Sequence, residues 1–317
     1  MSAARPYVLT VGESMGLLRQ AQPGRLASQR TLDFGFGGAE SNVAIGVSRL
    51  GARVVWSGRL GDDGVGELIE RELRAEGVEP RVIRDTEAPT GLMLKERPTA
   101  GSSRVVYYRR ESAGSRLTAA DVPDDLISGA ALVHVTGITP ALSASADAAV
   151  ESILRRASAA GVTTSLDLNY RAALWSRDAA GARLTELVAL ADLVFAGDDE
   201  AAILLGERSV PALAAGLRAL GPREAIIKLG ERGCFASAGD EQQELAAIAV
   251  DVVDTVGAGD AFVAGYLAEF LAGAPLAERL QTAVSAGAFA CLTSGDWEGL
   301  PRRRDFALLT NADPVQR

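Results

Sequence analysis

The sequence is poor in the residues that most often announce chemistry. It holds one histidine and two cysteines in 317 residues. Cys234 and Cys291 cannot build a disulfide framework, and no Cys/His set stands at metal-ligand spacing. No apolar run approaches the ~18 residues of a membrane span. Residues 1–11 lack a cationic start followed by an apolar stretch, so secretion is not expected and a reducing cytoplasm is. Positive charge is also scarce: 32 Lys and Arg stand against 41 Asp and Glu, a net charge of −9. That balance disfavours a nucleic-acid surface. An anionic ligand would have to be captured by local charge rather than by the global field.

Several motifs are missing too. There is no Gly-x-x-x-x-Gly-Lys-Ser/Thr loop, and no Gly-x-Gly-x-x-Gly opens a helix after a strand. Asp33-Phe34-Gly35 has no His-Arg-Asp loop to accompany it and reads as coincidence. His134 sits in the apolar run 131–135 and reads as a core residue. Chemistry is therefore left to carboxylates, backbone amides, Lys and Arg.

Hydrophobic residues make up 48% of the chain, enough for a sizeable core. One α/β domain over 1–317 is expected. Short apolar runs at 7–11, 54–57, 131–135, 163–168, 192–195 and 225–229 read as strands. Helix-period segments at 64–76, 143–160 and 211–220 fall between several of them. This alternation predicts a mostly parallel sheet with helices on both faces, and ligands beyond the carboxyl ends of its strands. Two stretches, 14–36 and 89–112, carry extended runs without a following helix. They read as a small antiparallel lid, with plain surface hairpins as the alternative.

The most informative run is Asp254-Thr255-Val256-Gly257-Ala258-Gly259-Asp260. After it, Phe262, Val263, Tyr266, Leu267, Phe270 and Leu271 recur at helical spacing, and Gly273 offers a stop. The glycines thus precede a first helical turn, whose open amides and positive dipole end attract anions. The amides of Ala258, Gly259 and Asp260 can cradle a phosphoryl group, and the Asp260 carboxylate beside them can take a proton from an incoming hydroxyl. A capped core helix explains the helix start equally well. A second run, Gly37-Gly38-Ala39-Glu40-Ser41-Asn42-Val43-Ala44, also opens a helix-period segment. Its glycine pair permits close approach of a ligand, and Asn42 can donate to and accept from hydroxyls. A plain turn and cap is again the alternative. The segment 225–234 reads as strand, glycine loop and strand, for which a hairpin suffices.

Together the two runs resemble the two signatures of the pfkB, or ribokinase-like, carbohydrate kinases: Gly-Gly-x-x-x-Asn-x-Ala and Asp-Thr-x-Gly-Ala-Gly-Asp. The resemblance covers essentially the whole chain. It implies a three-layer α/β sandwich with a mostly parallel central sheet and a small β lid. It implies ATP-dependent transfer of the γ-phosphoryl group to a sugar hydroxyl, with Asp260 as base and Gly257, Ala258 and Gly259 as the anion loop. Gly38 and Asn42 would contact the sugar. Lys228, Gly230, Gly233, Asn169 and Glu200 would serve the nucleotide side, with magnesium held chiefly by ATP phosphates and water. Asp251 would be a ligand to a monovalent cation such as potassium, and a homo-oligomer is expected. Gly197 departs from the family, where Asn usually stands.

Two further segments, 107–113 and 167–175, look like those of the family's 2-keto-3-deoxygluconate kinases: Tyr-Tyr-Arg-x-x-Ser-Ala and Asp-x-Asn-x-Arg-x-x-Leu-Trp. The likeness implies a sugar-acid substrate, 2-dehydro-3-deoxygluconate, held by Tyr107, Arg109, Arg171 and Asp296. Arginine is the matching planar donor for a carboxylate. Met93 stands where those kinases often carry an aromatic residue. The competing readings are a kinase for a neutral sugar or nucleoside, and a catalytically silent sugar-binding protein.

Overall fold

The computed structural model describes residues 6–99 and 102–309. The chain runs β1 (Tyr7–Val11), β2 (Met15–Arg19), β3 (Asp33–Gly37), α1 (Ala39–Arg49), β4 (Val54–Gly61), α2 (Gly64–Ala75), β5 (Glu79–Asp85), β6 (Leu92–Thr99) and β7 (Ser102–Tyr108). It continues through α3 (Asp124–Ser128), β8 (Ala130–Thr136), α4 (Ala144–Ala159), β9 (Thr163–Asp167), α5 (Arg177–Val188), β10 (Leu193–Gly197), α6 (Asp198–Leu205) and α7 (Val210–Ala219). The last elements are β11 (Glu224–Lys228), β12 (Cys234–Ala238), β13 (Glu241–Leu245), α8 (Ala258–Leu271) and α9 (Leu276–Ala290).

Nine strands form the central sheet, in the order β13-β12-β11-β10-β9-β8-β1-β4-β5. From β11 to β5 every neighbouring pair is parallel, and the hairpin β11-β12-β13 closes one end antiparallel. Side chains alternate between the faces of a strand, and here both faces are apolar. Leu9, Val133, Val194 and Ile227 pack on one side against α4, α5 and α7. Their neighbours Val8, Leu132, Phe195 and Ile226 pack on the other against α1, α2, α8 and α9. The result is the three-layer α/β sandwich expected. The central strands that neither an apolar run nor the 225–234 glycine-loop segment signals are β5 and β13. Both are edge strands with few fully buried residues, and edges need no continuous apolar run. His134 is fully buried and shares a hydrogen bond of 2.9 Å with Ser165. Burial pushes its pKa down to about 3, so it stays neutral in the core.

The second sheet has the order β3-β2-β6-β7. It is mixed, not antiparallel: β2 and β6 run parallel, while β2–β3 and β6–β7 are antiparallel. The reason is topological. β2 follows β1 and β6 follows β5, two strands that point the same way in the central sheet, so both enter the second sheet from the same end. In β6 the alternation is sharp: Met93 and Lys95 are buried, Leu92 and Leu94 only half so.

Helix starts differ in how they are closed. Asp63 caps α2 by accepting from the Gly66 amide at 2.8 Å, and Ser143 caps α4 by accepting from Ala146 at 3.1 Å. The start of α8 has no side-chain cap; Gly257 enters it with φ +78°. Among the described residues, no helix is long and apolar enough to cross a membrane.

Candidate active site

Charged residues gather where the parallel strands end. Glu13 follows β1, Asp167 ends β9 and Lys228 ends β11. The Lys228 ammonium donates to both Asp167 oxygens at 2.7 Å. The α8 start lies beside this pair, since a Cβ on Gly259 would sit 3.8 Å from Lys228 Nζ. Gly257 leaves no room for any side chain: its Cβ would fall 2.0 Å from the Asp296 carbonyl oxygen. Such a close turn with positive φ is a glycine position.

Asp260, in the first turn of α8, is buried. The Asn42 amide nitrogen, from the first turns of α1, donates to its Oδ2 at 2.8 Å. Both predicted runs, far apart in sequence, thus meet in one hydrogen bond. The Asn42 Oδ1 is buried without a partner among the described residues and remains available as an acceptor. Burial raises the Asp260 pKa, against the Asn42 hydrogen bond and the positive charges of Arg171 and Lys228.

Two cavities meet here. The smaller, about 330 Å³, is lined by Gly38, Asn42, Tyr107, Arg109, Arg171, Asp260 and Asp296, the predicted sugar residues together with the proposed base. Met93 and Lys95 from β6 also face it. The larger, about 710 Å³, is lined by Lys228, Gly230, Gly233, Ala258 and Gly259, with apolar walls from Ile248, Val250, Phe262 and Val284. Lys228, Thr255 and Gly259 line both. Only a shared boundary at the α8 start separates the two.

Some predicted residues sit elsewhere than expected. Asn169, with φ +39°, lines the smaller cavity and not the larger one. Glu200 lines neither; its carboxylate accepts from the amides of Gly197 at 2.7 Å and Tyr170 at 2.8 Å, closing the start of α6. Asp251 is exposed and lines neither cavity. Arg109 faces the smaller cavity, but its charge is already matched. Its Nε donates to Glu13 Oε2 at 2.8 Å and its Nη2 donates to the same oxygen, while the Ser112 hydroxyl donates to Oε1. Its guanidinium stacks 5.6 Å from the Tyr107 ring centroid. Of the two arginines, only Arg171 has no ion-pair partner among the described residues. A carboxylate entering the cavity therefore meets one guanidinium without a direct ion pair, Arg171, whose charge also reaches Asp167 and Asp260.

Glu13, Glu40, Lys95, Asp167 and Asp254 also belong to the site, although the sequence motifs assign none of them a role; Glu40, Asp167 and Asp254 stand inside those motifs. Glu13, Lys95 and Asp167 carry a usable signal, a charge just after or at the end of an apolar run. Glu40 accepts from Thr136 at 2.7 Å and Thr139 at 2.9 Å, and burial lifts its pKa to about 7. Burial likewise lifts Asp296 to about 7, against the pull of Lys95. No group of three or more His, Cys, Asp or Glu residues able to hold a metal ion occurs among the described residues.

A polar cavity with a buried carboxylate thus adjoins a larger, mainly apolar cavity at the start of α8. Residues 5–303 match the model of the pfkB family carbohydrate kinases, and the chain belongs to that family. It is 39% identical over 308 residues to the 2-dehydro-3-deoxygluconokinase of Bacillus subtilis (strain 168), covering 96% of this chain and 95% of that one. It is 34% identical over 292 residues to the 2-dehydro-3-deoxygalactonokinase of Haloferax volcanii, covering 91% of this chain and 92% of that one. The crystal structure of 2-dehydro-3-deoxygluconokinase from Thermotoga maritima superposes with a TM-score of 0.88 at 25% identity, covering 98% of this chain and all of that one.

Proposed function

We propose that this protein phosphorylates 2-dehydro-3-deoxygluconate, or its galactonate epimer, on the terminal hydroxyl with ATP. The observation that carries the reading is the junction of the two cavities at Lys228, Thr255 and Gly259, with Asp260 on the acceptor side. The sugar acid occupies the smaller cavity with its carboxylate on Arg171. Tyr107 and Arg109 border it as neutral-pair donors and ring surface, and Gly38, Asn42 and Asp296 meet its hydroxyls. The nucleotide occupies the larger cavity, where Gly230 and Gly233 let it approach the backbone.

Asp260 takes the proton from the attacking hydroxyl, as a general base must while the new oxygen–phosphorus bond forms. The amides of Gly259 and Asp260 and the Lys228 ammonium stabilise the charge on the moving phosphoryl group, the Ala258 amide being held by the Thr255 carbonyl. Magnesium on the nucleotide phosphates supplies charge neutralisation there. The second sheet covers the smaller cavity as a lid and excludes water, which limits wasteful hydrolysis. The protein works in the cytoplasm, as a homo-oligomer, and Asp251 is the candidate carboxylate for a potassium requirement.

The test is ADP release with ATP and magnesium, offering 2-dehydro-3-deoxygluconate, its galactonate epimer, fructose, ribose and a pyrimidine nucleoside. Saturable release with the sugar acids alone is the expected result. Release with a neutral sugar instead would remove the role given to Arg171, and silence with all would favour a binding protein.

A further inference from the structure

The cavity contains one cation that neither the acceptor nor the nucleotide explains. Lys95 lies on β6 of the second sheet, paired in register with Arg19 of β2 and Val105 of β7. Its side chain points into the sugar-side cavity beside Met93 and is only 5% exposed. There its ammonium donates to Asp254 Oδ2. The other oxygen of the same carboxylate, Oδ1, accepts from the Val256 amide at 3.2 Å. One carboxylate therefore joins a strand of the second sheet to the loop that leads into Gly257 and the α8 start.

We propose that Lys95 is a positioning residue: its ion pair with Asp254 holds the loop at 254–257 in register with the second sheet, so that the phosphoryl cradle is set only while that sheet covers the acceptor. The inference rests on the kinase reading above and adds a link between covering the sugar and arming the transfer loop. A plain packing contact would not need a charge here. Burying an ammonium and a carboxylate is costly, and apolar residues of similar size usually serve stability as well or better. Met93, its neighbour on the same face, shows that such residues fit. Among the described residues, a second salt bridge from the second sheet to this end of the molecule, Arg19 with Glu298 at 3.1 Å, is more exposed and ends on the segment at 294–298, not on the loop.

The test uses Lys95→Met, Asp254→Asn, the double variant and Lys95→Arg. Either charge-removing single substitution leaves a buried charge unpaired and is expected to lower stability; the double variant removes both charges and keeps the experiment readable if a single one misfolds. In the double variant, kcat for sugar phosphorylation is expected to fall ~10- to 100-fold, the loss typical of a misplaced catalytic group, with KM for ATP changed far less. The ratio of ADP released to sugar phosphate formed should rise above one, because hydrolysis is no longer tied to a covered acceptor. Lys95→Arg, which keeps the charge, should recover most of kcat. A folded double variant with unchanged kcat and one-to-one stoichiometry overturns the tether. Wild-type protein silent toward every acceptor would instead overturn the kinase reading itself, so the two failures are distinguishable.

Discussion

In the proposed reaction, Asp260 and Arg171 divide the work of the smaller cavity between chemistry and recognition. Asp260→Asn keeps the size of the side chain but removes the base. Turnover should fall ~10²- to 10⁴-fold, the usual contribution of a positioned base, while calorimetry still detects sugar binding. Wild-type turnover in that variant would end the assignment. The pH profile follows from the same residue. Its pKa is raised by burial, and it acts in the ionised form, so kcat/KM rises as pH climbs through that pKa and then levels. Arg171 carries the unmatched positive charge, because Glu13 already occupies Arg109. Arg171→Ala should raise KM for the sugar acid about 10- to 100-fold, as expected for losing a hydrogen bond to a charged group, and barely alter that for fructose. Equal effects on both substrates would show that the guanidinium does not read the carboxylate.

At the level of elements, the decisive feature is how α8 begins. α2, α4 and α5 each spend a side chain on closing their first amides; α8, like α1, has no such cap, its Ala258 amide turning back onto the Thr255 carbonyl, and it places Gly257 against the backbone of Asp296. Gly257→Ala meets two obstacles. A left-handed conformation costs a non-glycine residue ~1–2 kcal/mol, and the new methyl would lie 2.0 Å from a carbonyl oxygen. The loop must shift, so kcat should drop at least ~10-fold, with the melting temperature lowered by only a few degrees. A variant with unchanged kcat would mean that the loop's path is irrelevant to transfer. The second sheet teaches a different lesson. Its strands were legible as extended runs, but their parallel β2–β6 pairing depends on where β1 and β5 deliver the chain, which local pattern does not carry.

Across the whole molecule, the site is built from buried acids, and that has a stability signature. Glu40 has its folded pKa raised from 4.5 to about 7 by burial. A carboxylate raised on folding binds its proton more tightly in the folded state. Its contribution is full below the unfolded value of 4.5 and is lost as pH rises through about 7. Asp296 behaves in the same sense. Melting temperature should therefore decline between about pH 5 and about pH 8. Glu40→Gln keeps an oxygen for Thr136 and Thr139 but cannot ionise, so its decline should be shallower and its melting temperature should gain on wild type at the alkaline end. Parallel curves for the two proteins would show that Glu40 does not ionise in this range.

The sequence by itself determined the class of fold, because apolar runs alternating with helix-period segments can be buried only in a layered α/β sheet. It also determined the two glycine runs, since a glycine required for close approach leaves a mark that no neighbour can substitute. Edge strands β5 and β13 escaped it, because a half-exposed strand has no continuous apolar run to show. What only the tertiary structure decided was partnership. Asn42 meets Asp260, Lys228 meets Asp167, Lys95 meets Asp254, and Glu13 claims Arg109. Each pair joins residues from separate elements, and the free energy of a charge depends on which group lies within a few ångströms of it. Linear spacing does not encode that distance. The two arginines looked equivalent in sequence, and folding left one of them matched and the other open.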